Sequence, residues 1–181
     1  MHYLNYTLFL FGLCGLLSCG NKQNLNPQPR QLKDSLTEPL MTANTRISKK
    51  ESEKINAYIK RKNWDMTETG TGLRYGIYAS NNGIGIEHGD YVDLEYTLEL
   101  LDGTLISKSK EGETEMVIVD KDAVESGLHE ALKYLHKGDR AKVIIPSHLA
   151  FGLTGDQDKI PSFATLVYDL HIVEVSINEN E

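Results

Sequence analysis

The chain has 181 residues and a formal net charge of −7, with 40% hydrophobic and 25% charged residues. This balance is typical of a single globular domain with a short extension. The basic clusters at 49–50 and 60–62 lie among glutamates and form no positive stripe. The composition therefore argues against a nucleic-acid partner.

The first 19 residues have the pattern of a bacterial lipoprotein signal. The apolar run 8–17 is too short to span a membrane, which takes about 20 residues, and is typical of the core of a secretory signal peptide. The residues Leu16-Leu17-Ser18-Cys19 resemble a lipobox, in which the cysteine is acylated and becomes the first mature residue. No lysine or arginine precedes the apolar run, so an ordinary cleaved signal with an incidental cysteine remains the alternative.

Acylation of Cys19 predicts a protein anchored to a membrane without spanning it. Two or more acyl chains give stable anchoring, at about 0.8 kcal/mol per buried methylene. If Cys14 is removed with the signal peptide 1–18, the mature chain has no thiol for a disulfide or for thiolate catalysis. The predicted location is the bacterial cell envelope, facing the periplasm. Gly20-Asn21 lacks an aspartate after the cysteine and favours the outer membrane.

Two segments are predicted between the signal and the domain. Residues 19–45 are rich in Asn, Gln, Pro and Ser without apolar periodicity, and are predicted to form a disordered tether. Residues 48–62 are predicted to form a helix, which Ser48 and Glu51 begin with capping-box spacing. Its narrow apolar stripe packs either on the domain that follows or on a partner, which is an envelope protein or a second copy. The stripe consists of Ile55, Tyr58 and Ile59, with Trp64 beyond.

The rest of the chain alternates between short strands and one helix. A first strand is predicted around Leu73, Tyr75 and Ile77. Residues 46–86 are therefore predicted to form an N-terminal helix and first strand, and residues 87–177 the main domain. Apolar residues then alternate with polar ones over 91–101, which is typical of a strand with one wet face. The later predictions are strands at 116–119, 141–145 and 164–177 and a helix at 126–137. Strands that surround one helix in this order indicate an α+β fold.

A series of short motifs runs from residue 96 onward. They are Tyr96-Thr97, Leu101-Asp102-Gly103-Thr104, Gly127-Leu128, Gly138-Asp139, Leu149-Ala150-Phe151-Gly152, Ile160-Pro161 and Ala164-Thr165-Leu166-Val167-Tyr168-Asp169. In order and spacing, this series resembles the FKBP-type peptidyl-prolyl isomerases. The resemblance implies an FKBP-like antiparallel half-barrel sheet wrapped over one short helix, here preceded by an N-terminal helix. The layout of signal, tether, helix and domain is similar to that of the FKBP-type lipoproteins associated with gliding motility.

Rotation about a prolyl amide has a barrier of about 18–20 kcal/mol from lost resonance. A water-poor apolar cavity that binds the twisted amide lowers this barrier, so the reaction needs no metal and no cofactor. No metal site is predicted, and His129 is expected at the surface or in a cap. The resemblance implies that the amide N–H of Glu125 donates to a substrate carbonyl. The site residues that it implies are Tyr96, Ile106, Val124, Glu125, Leu128, Phe151, Ile160 and Tyr168.

Several of these positions depart from the family pattern. The hairpin carries Ile106 and Ser107 where the family has an aromatic residue and a carboxylate, and Leu128 replaces a common tryptophan. Phe151 lacks the usual hydroxyl, and glutamates stand where Ile and an aromatic residue are expected, at positions 125 and 115.

Two hypotheses follow. One is a lipid-anchored isomerase acting on proline-containing exported proteins. The other is a catalytically weak FKBP-fold binding module or chaperone in an envelope machine.

Overall fold

The computed structural model of the protein describes residues 29–178, with side chains from residue 41 onward. The predicted signal peptide and Cys19 lie outside the described residues. The elements are helices α1 (Pro29–Lys62) and α2 (Ser126–Leu132), a 3₁₀ turn (Ser147–Leu149), and strands β1 (Thr67–Glu68), β2 (Arg74–Ala79), β3 (Tyr91–Leu100), β4 (Leu105–Lys108), β5 (Glu115–Ile118), β6 (Arg140–Ile145) and β7 (Leu166–Ser176). Neither helix in this part of the chain has the length and apolar character that crossing a membrane requires.

All seven strands form one antiparallel sheet in the order β1-β2-β6-β7-β3-β4, with β5 pairing with β3. The two longest strands, β3 and β7, pair along the whole length of β3. Because β2 pairs with β6, the predicted segments 46–86 and 87–177 share one sheet. The chain divides into two units between Leu40 and Met41, and the second unit contains the entire sheet and α2.

The inner face of the sheet packs against α2. The alternating residues Val92, Leu94 and Leu98 of β3 are buried there together with Leu128 and Leu132 of α2. Side chains alternate between the two faces of a strand, so these residues of β3 share one face, and burying it removes apolar surface from water. This arrangement confirms the predicted α+β fold, a sheet wrapped over one short helix.

The outer face of the sheet packs against the C-terminal half of α1. Ile55 is fully buried and Tyr58 is nearly so, in a second core with Ile144 and Val167. Trp64 adds an edge-to-face contact with Tyr58, at 5.5 Å between ring centroids. The predicted stripe therefore packs on the domain, which was the first of the two alternatives. Residues 41–50 of α1 are exposed.

Two element boundaries differ from the predictions. Helix α1 begins at Pro29, so the predicted disordered tether is wrong over 29–45. Proline at the first helical position loses no hydrogen bond. Many of the residues that follow have good helix propensity, namely Arg, Gln, Leu, Lys, Glu, Met and Ala. Helix α2 ends at Leu132, five residues before the predicted end at 137. Beyond it, Tyr134 and Leu135 donate to carbonyls three residues back, which turns the chain while Leu135 stays buried.

Candidate active site

A cavity of about 490 Å³ opens at the inner face of the sheet, beside the start of α2. The strands, the loop before α2 and the segment after the 3₁₀ turn all contribute to its wall. The structure brings all eight sequence-predicted site residues to this cavity, although they span 73 positions of the chain, from 96 to 168. They are Tyr96, Ile106, Val124, Glu125, Leu128, Phe151, Ile160 and Tyr168. Their part in a reaction stays a prediction.

The floor of the cavity is apolar. Ile106, Leu128 and Ile160 are each at most 8% exposed, and the ring of Tyr168 is 4% exposed. Leu94, Leu98 and Val117 extend this floor and were not singled out in the sequence. The period-two pattern of β3 could have identified Leu94 and Leu98, because they share a face with Tyr96.

Two phenols and two carboxylates line one side of the cavity. The hydroxyl of Tyr168 donates to the carboxylate of Glu125, at 3.2 and 3.3 Å. The hydroxyl of Tyr96 donates to Glu115 at 3.2 Å and lies 3.1 Å from Ser107 Oγ. Because the single proton of Tyr96 is directed to Glu115, the Ser107 hydroxyl is the donor to the phenol oxygen. The two rings are 6.0 Å apart between centroids, so these four groups form one cluster.

The electrostatics keep both phenols protonated. Burial raises the pKa of Tyr168 well above its ordinary value, and the negative charge of Glu125 raises it further. Burial also raises the pKa of Tyr96, and the carboxylates of Glu115 and Glu125 add to this against the opposing hydrogen bond from Ser107. Both hydroxyls therefore remain hydrogen-bond donors at neutral pH.

The loop before α2 presents a main-chain donor to the cavity. Glu125 is extended, at φ −61° and ψ 137°, immediately before the helix. Its amide N–H has no hydrogen-bond partner among residues 29–178. The loop is held by the buried His129 ring, whose Nδ1 accepts from Asp120 N–H and whose Nε2 donates to the Asp122 carbonyl, each at 3.0 Å. His129 is thus a positioning residue, not the surface or capping group that was expected.

The rim of the cavity lies on the segment after the 3₁₀ turn. Phe151 is 37% exposed there, and Ile160 faces the floor from the following loop. The carboxylate of Asp156 shapes this loop by accepting from the amides of Asp158 and Ile160, at 2.9 and 2.7 Å. These bonds to the charged form lower the pKa of Asp156. The rim is therefore a preorganised turn that carries an exposed aromatic ring.

A wider groove of about 970 Å³ runs between α1, the turn at 68–74 and the segment at 146–153. The guanidinium of Arg74 lies in it and bonds to the Gly72 carbonyl, Ser52 Oγ and the Glu68 carboxylate. Much of its polar lining is therefore engaged within the protein. The smaller cavity, with an apolar floor and an unpartnered amide at its edge, is the better candidate site.

The structure is an antiparallel half-barrel over one helix, with an aromatic and aliphatic cavity at its concave face. This arrangement defines the class of the FKBP-type domains. Residues 84–173 match the family model described as FKBP-type peptidyl-prolyl cis-trans isomerase. The chain belongs to this family.

Similar proteins agree with this assignment. A probable FKBP-type peptidyl-prolyl cis-trans isomerase, FkpA of Neisseria meningitidis, is 33% identical over 135 residues, which cover 74% of this chain and 49% of FkpA. The peptidyl-prolyl cis-trans isomerase FKBP10 of Bos taurus is 34% identical over 48% of this chain, and only 15% of FKBP10 is spanned. The crystal structure of FkpA from Escherichia coli matches with a TM-score of 0.62 and 27% identity, over 81% of this chain and 70% of that one. The chain thus spans half or less of the curated relatives it matches.

Proposed function

We propose that the protein catalyses cis–trans isomerisation of peptidyl-prolyl bonds. The observation that carries this proposal is the cavity itself, in which residues from six separate parts of the chain form an apolar floor beside a free amide donor. A proline ring fits such a floor because its surface is apolar, and the cavity volume exceeds what one ring occupies.

The cavity favours the twisted amide over the planar one. A planar amide carries more charge separation, and an apolar floor of Leu128, Ile160 and the Tyr168 ring solvates that charge poorly. The amide N–H of Glu125 holds a substrate carbonyl, so binding of the flanking peptide is available to stabilise the twist. No proton transfer or covalent step is needed.

An isomerisation assay tests the proposal. The full chain carrying Cys19→Ser, which removes the acylation site, is expected to accelerate isomerisation of X-Pro peptides and refolding of a proline-limited protein. Uncatalysed isomerisation takes about 10–100 s, so acceleration is directly visible. Background rates in both assays would contradict the isomerase proposal.

Specific replacements in the cavity favour a second candidate, a binding module or chaperone with weak catalysis in the cell envelope, for instance in the machinery of gliding motility. Tyr96 is bonded to the neutral Ser107, where the family has a carboxylate, and Leu128 offers less surface than an aromatic floor. Peptide binding without acceleration in the assay above would select this candidate.

We further propose that the protein acts on exported polypeptides as a lipid-anchored folding factor of the periplasm, with the outer membrane as the favoured site. The support is the signal-like segment 1–18 and the lipobox that ends at Cys19. Thioether-linked and amide-linked acyl chains there would hold the domain at a membrane surface.

Cys19→Ser is expected to move the protein from the membrane fraction to the soluble fraction, because the residue that carries the lipid is lost. Cell fractionation and metabolic labelling with a fatty acid measure the change. Cys14→Ser is the matched control and is expected to leave fractionation and labelling unchanged. Retention of the Cys19→Ser protein in membranes means that the lipobox interpretation is wrong.

A further inference from the structure

We propose that the cavity selects peptides that carry a lysine or arginine directly before the proline. The inference rests on the proposed function and specifies its substrate class. The cavity wall carries negative charge. Among the residues that line the cavity, all within 41–178, Glu115 and Glu125 are the charged side chains. Neither forms an ion pair with a residue that the structure describes.

The carboxylates are held at the cavity by its own phenols. Tyr168 lies in the floor and donates to Glu125, and Tyr96 lies in the wall and donates to Glu115. Both carboxylates raise the pKa of both phenols, which places the two negative charges around the same pair of rings. A solvated surface glutamate has no such anchoring. Here both anions lie on the cavity wall, with Glu125 partly buried and Glu115 exposed.

Lys159, which precedes the floor residue Ile160, does not neutralise this pair. Lys159 donates its Nζ to the main-chain carbonyl of Ile106, at 3.4 Å, and does not line the cavity. Two like charges beside an apolar floor repel each other, and a cation supplied by the ligand relieves this repulsion. The protein therefore presents a negative edge that its own described side chains leave without a counter-ion.

The position of the substrate cation follows from the cavity geometry. With the proline ring on the floor formed by Leu128 and Ile160, the peptide leaves past the amide of Glu125, whose side chain is bonded to the adjacent Tyr168. The residue before proline then lies beside the carboxylates, and a long lysine or arginine stem reaches them while its methylenes cover apolar wall. A glutamate at the same place is repelled.

The test uses the full chain with Cys19→Ser and peptides Ala-X-Pro-Phe, where X is lysine, the neutral norleucine of similar length, or glutamate. At low salt, kcat/KM is expected to be about 5-fold higher for the lysine peptide than for the norleucine peptide. Each partly exposed ion pair is expected to raise kcat/KM by about 2- to 5-fold. The kcat/KM for the glutamate peptide is expected to be lower than that for the norleucine peptide. At about 1 M salt, where the Debye length is about 3 Å, the three values should converge.

Variants locate the effect. Glu115→Gln with Glu125→Gln is expected to bring the lysine-to-norleucine ratio to about 1, and each single variant should give an intermediate ratio. Glu111→Gln is the matched control, since Glu111 is exposed and outside the cavity lining, and it should keep the ratio of the parent protein. A ratio of 1 in the parent protein overturns the proposal, and so does a ratio that survives the double substitution.

Fluorescence anisotropy of the same labelled peptides separates this inference from the proposed function. If no peptide is isomerised, the isomerase proposal fails, and the charge preference is then read from the dissociation constants. A lower dissociation constant for the lysine peptide than for the norleucine peptide supports the inference if the double Gln variant no longer shows this difference. Equal binding of all three peptides overturns it.

Discussion

Gly127→Ala is expected to lower the free energy of unfolding by about 2–3 kcal/mol, within the range for overpacked cores. A Cβ at this position would lie 2.3 Å from Ile145 Cγ2 and 3.1 Å from the Cβ and carbonyl oxygen of Leu149. Ile145 is fully buried in β6 and has no free space into which to move. The glycine therefore allows α2 to lie directly against the sheet.

Urea unfolding of the Gly127→Ala and parent proteins measures the change. Gly70→Ala is the matched control, because a Cβ at Gly70 meets nothing within 4 Å. Its free energy of unfolding is expected to change by less than about 0.5 kcal/mol. If the two alanine variants are equally stable, α2 is not packed against β6 as described.

Phe151→Ala is expected to lower kcat/KM by about tenfold, which corresponds to about 1.4 kcal/mol of lost transition-state stabilisation. The Phe151 ring is 37% exposed at the rim and lines the cavity, so much of its surface is available to a substrate. Removing it takes away apolar contact with the proline, while the core beneath stays covered. Tyr96→Ala, which removes the other aromatic side chain of the wall, should have a similar effect.

Peptide kinetics and thermal unfolding are measured together on each variant. Leu153→Ala is the control, since Leu153 is 69% exposed two residues away and does not line this cavity. Its activity should match that of the parent protein. If Phe151→Ala and Tyr96→Ala lose activity only to the extent that they unfold, the two rings belong to the core and have no role in the site.

The fold was predictable because its signals are local and repeated. The alternation along β3 follows from which side chains must be buried. The end of α2 was not predictable from periodicity, because Leu135 continues the helical spacing while it lies in a turn. The segment 29–45 was misassigned because tether-like composition and good helix propensity occur there together.

Part of the cavity lining was predictable, but the hydrogen bonds within it were not. The family resemblance implied eight of the sixteen residues that line the cavity. It did not identify the bonds from Tyr96 and Tyr168 to the two glutamates, because such pairs join residues 19 and 43 positions apart. His129, which holds the loop before α2, carried no signal beyond its place on a helix.

The sequence by itself determined five of the seven strands described, the inward face of β3 and, through the family resemblance, eight of the residues that line the cavity. These depend on residue type and spacing, which a linear pattern contains. Only the tertiary structure decided that α1 covers the outer face of the sheet and that Glu115 and Glu125 face one cavity without a counter-ion. The physical reason is that burial and charge pairing depend on distances between residues far apart in the chain, which are defined only once the sheet has closed over α2.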